Sequence, residues 1–125
     1  MTNYVGWLLP EFERERLLKI IPPVYSKIVA HHITLQYDVP DNEPLPTTTS
    51  AEIIGLADDG KGVQAVVVRI GGTSKRPDGK TYHITWSLTG KRRPVESNYV
   101  IQKYGWKDLP DYIVIKIEPR LFGDG

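Results

Sequence analysis

The chain has 125 residues, with 16 Lys plus Arg against 15 Asp plus Glu and no cysteine. A near-neutral balance gives no broad electrostatic pull toward nucleic acid or anionic lipid, so an anionic ligand must be held locally. The lack of cysteine excludes disulfides, thiolate nucleophiles and cysteine-ligated zinc or iron–sulfur sites.

The length suits one domain spanning residues 1–125, with a core of its own. Residues 1–10 carry neither a basic n-region nor a long apolar stretch, and no run approaches the roughly 20 apolar residues of a membrane span. A cytoplasmic protein with no membrane contact is therefore expected.

Residues 4–9 form a short apolar run stopped by Pro10, the pattern of a buried first strand. Residues 11–21 read as a helix with Glu11 and Glu13 in its first turn, Leu17, Leu18 and Ile21 at helical spacing, and Pro22-Pro23 as its end. From 27 to 38 the period becomes two: Val29, His31, Ile33, Leu35 and Tyr37 share one face, and Ala30, His32, Thr34, Gln36 and Asp38 the other. A proline-rich stretch, 40–46, and Thr47-Thr48-Thr49-Ser50 follow as a loop.

Residues 52–57 and 63–70 are strand-like and joined by a hairpin loop at 58–62, with Val66, Val67 and Val68 suggesting a strand buried on both faces. A basic loop, 71–80, contains Lys75 and Arg76 beside a Pro77-Asp78-Gly79 turn. Residues 81–89 alternate, with Tyr82, Ile84, Trp86 and Leu88 apolar against Thr81, His83, Thr85, Ser87 and Thr89. After the basic turn Gly90-Lys91-Arg92-Arg93-Pro94, residues 95–104 read as a helix ending at Gly105, and 112–118 as a last strand with Ile113, Ile115 and Ile117 inward. The order β-α-β then β-β-β-α-β is an α+β arrangement with a hint of internal duplication.

The chain's three histidines, His31, His32 and His83, lie in or beside two copies of His-Ile-Thr, at 32–34 and 83–85. On a strand the histidine and the threonine two residues later share a face. Two imidazoles that titrate near neutrality can divide proton transfer, one accepting while the other donates, and hydroxyls can hold phosphate oxygens as charge builds on them. That combination suits displacement at phosphorus without a nucleophilic side chain or a metal.

Two H-x-T motifs, each in a strand with hydrophobic neighbours, resemble the signature of the 2H phosphoesterase superfamily. Ala30-His31-His32-Ile33-Thr34-Leu35 and Tyr82-His83-Ile84-Thr85-Trp86-Ser87-Leu88 carry the resemblance, and Tyr4-Val5-Gly6-Trp7 and 57–62 are similar to the small phage-type members. The resemblance implies an α+β, bilobal fold: two antiparallel sheets face each other across a central cleft, helices pack outside, and each pseudo-symmetric lobe gives one motif. It implies a metal-independent phosphodiesterase, without cofactor, acting on 2′,3′-cyclic phosphates, 2′–5′ linkages or cyclic nucleotides. His32 and His83 become the acid–base pair, and Thr34 and Thr85 the phosphate-binding hydroxyls. The partner is then a nucleotide or RNA end, with a monomer expected and no protein partner implied. If the chain is phage-encoded, the compartment is the cytoplasm of an infected cell.

Gln36 and Ser87, two residues beyond each threonine, are candidates for substrate contact. Trp7 is expected in the core, which leaves Tyr4 on the other face as a candidate to stack on a base. His31, on the apolar face, is expected to be a hydrogen-bonded core histidine. Facing away from His32, it does not complete a metal site. The clusters at 75–76 and 91–93 read as solvated basic turns without assigned roles. The rival to an enzyme is a non-catalytic RNA- or nucleotide-binding module using the same face.

Overall fold

The computed structural model describes residues 2–123; Met1 of the opening segment and Asp124 and Gly125 at the end of the 1–125 span lie outside it. The chain is α+β. In order it forms β1 (Asn3–Leu8), α1 (Glu11–Ile20), β2 (Lys27–Ile28), β3 (His32–Val39), β4 (Ser50–Asp58), β5 (Val63–Arg69), β6 (His83–Leu88), α2 (Glu96–Tyr104), β7 (Lys107–Lys116) and β8 (Glu118–Phe122). The strands make two antiparallel sheets, one ordered β3-β1-β8 and the other β2-β6-β5-β4-β7.

The expected strand over 27–38 is two strands in two sheets. Val29 N–H and Ala30 N–H still donate to Trp86 and Thr85 carbonyls of β6, at 2.9 Å each. At Ala30 the backbone turns through a positive φ of 44°, rare for a residue with a Cβ, and the His31 carbonyl next accepts from Leu9 N–H at the end of β1. The chain thus leaves one sheet and enters the other just before His32. A similar split follows β7, because β7 pairs with β4 while β8 pairs with β1.

The main core lies between α1, the β1 and β3 side of the small sheet, and one face of the large sheet. Trp7, Leu17, Ile33, Val66, Ile84, Trp86 and Ile115 are all buried in it. Trp7 takes its expected core position and donates Nε1–H to the Thr48 carbonyl at 2.9 Å. The other face of β5 packs Ala65 and Val67 against Ile101 of α2, so this strand is buried on both sides as its valine run predicts. Glu13 of α1, expected only to complement the helix dipole, is a buried clamp: it accepts from Lys116 N–H at 2.6 Å and pairs with Arg16. Among the described residues no helix is long and apolar enough to cross a membrane.

Candidate active site

The crossover at Ala30 brings the two motifs together. β2 is hydrogen-bonded to β6, so the chain enters β3 beside Thr85, and His32 and Thr34 come to lie opposite His83 and Thr85. All four line one small cleft, completed by Val29, Tyr37, Pro94 and Val95. His83, Thr34 and Thr85 are buried, and His32 is half-buried.

His83 is fixed by its own strand. Its Nδ1–H donates to the Thr81 carbonyl at 2.8 Å, which in the neutral ring leaves the lone pair on Nε2. Burial pushes its pKa down to about 4; the Thr81 carbonyl opposes the shift and the Arg76 cation adds to it. His32 is also pushed down to about 4, first by burial and then by His31 and His83. Both imidazoles are therefore neutral at pH 7.

The two threonines differ. Thr85 is tied to the loop and helix that follow, with Oγ1 3.2 Å from the Pro94 carbonyl and 2.8 Å from Ser97 Oγ. Ser97 is fully buried at the start of α2 and was not legible as a site residue. Thr34 sits opposite Gly6 of β1, where a Cβ would run into the β3 backbone at Ile33 and Leu35, so glycine is what lets the two strands approach here.

Neither Gln36 nor Ser87 reaches the cleft, and the reason is shared. In the pairing with β1, Gly6 faces Thr34 and Val5 faces Gln36, so Leu35 is an extra residue. In the pairing with β5, Ala65 faces Thr85 and Gln64 faces Ser87, so Trp86 is extra. One extra residue after each threonine resets the alternation. Gln36 is turned out to a shallow depression with Leu35 and Pro77, and Tyr37 takes the cleft position instead. Ser87 is buried on the core side, donating to Gln64 Oε1 at 2.5 Å and accepting from Tyr25 N–H at 3.1 Å. Leu88 correspondingly leaves the Ile84 and Trp86 face and packs with Val63 and Val100.

His31 is not a core histidine. The turn at Ala30 leaves it exposed, and its Nδ1 lies 3.0 Å from His32 Nδ1 rather than on the opposite side of a strand. Among the described residues no three His, Cys, Asp or Glu side chains gather to hold a metal ion.

Tyr4 lies at the cleft mouth. Its ring is 5.3 Å from that of His32 and stacked on Phe122 at 4.8 Å, and it borders a second depression with His32, Tyr37, Arg93, Pro94 and Val95. Arg76, expected in a solvated turn, is 2% exposed. It forms a two-pronged pair with Asp78 at 3.1 and 2.8 Å, and its guanidinium lies 5.5 Å from the Tyr37 ring. The Arg-Pro-Asp-Gly turn was the available signal, since an Asp two residues on can fold back onto the arginine. Arg92 likewise is paired, with Asp59 and Glu96 at 2.8 Å each.

No protein-family model, curated protein or solved structure matches the chain.

Proposed function

We propose that the chain is a bilobal 2H-type phosphoesterase that cleaves a nucleotide or RNA phosphodiester by two-histidine acid–base catalysis without a metal. The carrying observation is the convergence of His32 and Thr34 from one sheet with His83 and Thr85 from the other on a single cleft. Within the family resemblance, only the two motifs are specific.

His83, with Nδ1–H committed to Thr81, is suited to accept a proton at Nε2 from water or a ribose hydroxyl as that oxygen bonds to phosphorus. His32 then donates a proton to the departing oxygen as the P–O bond breaks, and the Thr34 and Thr85 hydroxyls hold the non-bridging oxygens. His32 must be protonated for this step. The negative charge of a bound phosphodiester favours the imidazolium, offsetting the burial that otherwise keeps it neutral. The aromatic rim at Tyr4 and Tyr37, with Arg93 beside it, suits a nucleobase and its anionic tail.

That both histidines are neutral at pH 7 favours a second reading, a nucleotide-binding module that does no chemistry. Incubation with 2′,3′-cyclic nucleotides, 2′–5′ oligoadenylate and cyclic dinucleotides in the presence of a chelator separates the two. The enzyme cleaves at least one of them, and His32→Ala and His83→Ala each lose roughly 10²–10⁴-fold in kcat. Binding without turnover, or full activity in either variant, overturns catalysis by the pair.

A further inference from the structure

We infer that His31 is a positioning residue that sets which nitrogen of His32 faces the cleft with a lone pair or a proton. The inference rests on the two-histidine reading and comes from an asymmetry between the motifs.

His83 is oriented by the carbonyl two residues before it, that of Thr81. The equivalent carbonyl before His32 belongs to Ala30. It is already engaged, accepting from Arg14 Nε–H at 3.2 Å, and the positive φ of Ala30 swings the chain away from a regular strand. His32 Nδ1 meets the ring of His31 instead, at 3.0 Å, with the two rings edge to face and their centroids 5.2 Å apart. Where one site has a fixed acceptor, the other has a group that titrates.

Only one hydrogen fits between two imidazole nitrogens at this distance. If His31 is neutral with its Nδ1 lone pair toward His32, it accepts His32 Nδ1–H. His32 Nε2 then carries either the lone pair of the neutral ring or the proton of the imidazolium, both of which the proposed reaction needs. If His31 is protonated, it donates Nδ1–H to His32, whose single hydrogen moves to Nε2. In that state His32 cannot take up a proton at Nε2, and becoming an acid would require two facing N–H groups.

The surroundings favour the productive state. Among the described residues, the charged and titratable groups beside His31 are His32, Arg14 of α1 and Arg120 of β8, with Phe122 packed at 6.0 Å and Arg120 paired to Glu118. Partial desolvation of the ring beside Phe122 and the two arginine charges lower the His31 pKa, which keeps the ring a neutral acceptor at physiological pH.

Long-range proton–nitrogen correlation spectra of the 15N-labelled full chain, recorded from pH 8 to 5, read each tautomer directly. The expected result is an Nδ1–H tautomer for both His32 and His83 at pH 8, with His32 switching to Nε2–H as His31 becomes protonated. His31→Phe, which keeps a ring but removes the acceptor, loses the Nδ1–H tautomer of His32. Its kcat falls about 10-fold, a fraction of what a full acid–base group contributes, with KM little changed. His31→Asn, whose amide oxygen can accept, keeps the tautomer, recovers most of kcat and abolishes the pH-dependent switch. His83, tied to Thr81, reports in each variant that the fold is intact. An identical His32 tautomer in the wild type and His31→Phe, or a changed tautomer with unchanged kcat, overturns the inference. A wild type that shows the expected tautomers but cleaves nothing overturns the phosphodiesterase reading and leaves the His31–His32 pairing standing.

Discussion

The hydroxyl of Thr85 lies 2.8 Å from that of Ser97, so a residue on β6 that faces the cleft is held by the buried first turn of α2. If Ser97 donates this bond, the single Thr85 hydrogen remains available to leave the Pro94 carbonyl and turn to a phosphate oxygen. Ser97→Ala removes that support. A loss of about 1 kcal/mol, roughly five-fold in kcat/KM, is expected toward whichever cyclic or 2′–5′ substrate is cleaved. Thr85→Ser, which keeps the hydroxyl, serves as the control; an unchanged kcat/KM in Ser97→Ala would detach α2 from the site.

The pH dependence should differ between the empty and the occupied cleft. With His32 and His83 both pushed to about 4, the protonated donor becomes scarcer in the free protein as pH rises toward 7, while protonation of His31 withdraws the His32 acceptor on the acidic side, so kcat/KM, which reports the free protein, is bell-shaped with its maximum below pH 7. On the proposed mechanism a bound phosphodiester raises the pKa of the donating histidine, so the optimum of kcat should move up by about one unit or more. Rate measurements across pH 4 to 9 test both limbs. A flat profile from pH 5 to 9 would count against the pair.

Stability follows the same two groups. Their folded pKa values lie below the ordinary 6.5, so the unfolded chain binds more protons between pH 6.5 and 4. The stability contributed by keeping them neutral is whole above about pH 6.5 and is lost as pH falls toward 4, on the order of 3 kcal/mol for each histidine. Glu13 and Asp78, both lowered by arginine partners, add their own losses only at more acidic pH. Urea midpoints at pH 7 and pH 5 should therefore drop for the wild type and drop less for His83→Gln. Equal drops would place the sensitivity elsewhere.

The four motif residues in the cleft were legible because a period of two is a strong signal over a short strand: His32 with Thr34, and His83 with Thr85, span only three positions each. The same signal fails one step further. Leu35 and Trp86 are ordinary strand residues with nothing to mark them as extra, and each resets the phase, so Gln36 and Ser87 were assigned to the cleft while Tyr37 was missed. The end of β2 was hidden in the same way. Ala30 gives no hint of a left-handed backbone, which glycine or asparagine would have offered, and the turn there reversed the reading of His31. Arg76 reads as part of a solvated basic turn and Glu13 as a complement to the helix dipole, whereas both are buried: Arg76 against Asp78 two residues on, and Glu13 on the distant Lys116 N–H, which nothing near it in the sequence announces.

Arg76 gives a prediction of definite sign. Its charge lowers the His83 pKa while Asp78 raises it. Arg76→Met removes the first influence and leaves the second, so the His83 pKa should rise, and an NMR titration of its ring should show the midpoint moving toward 6.5. Loss of the partner also frees Asp78, whose own pKa should return upward toward the ordinary carboxylate value. A His83 midpoint that stays put or falls would mean that the arginine charge is screened from the cleft.

Gly6 tests whether the spacing of the small sheet sets the site. It pairs with Thr34, and a Cβ at this position would collide with the Ile33 carbonyl oxygen and stand 3.0 Å from Leu35 N. Both are backbone atoms of β3, which cannot yield as the end of a flexible side chain would. Gly6→Ala must therefore push β3 away from β1, at a cost of about 1–3 kcal/mol, and the displaced stretch is the one between His32 and the extra residue Leu35. Thermal unfolding should show the loss, and the variant's activity should fall more than that of a distant substitution of equal cost, because Thr34 would no longer stand opposite Thr85. Gly60→Ala in the 58–62 loop provides the comparison, since it has positive φ but open space around it. Equal loss of activity at matched stability in the two variants would separate the β1–β3 spacing from the chemistry of the cleft.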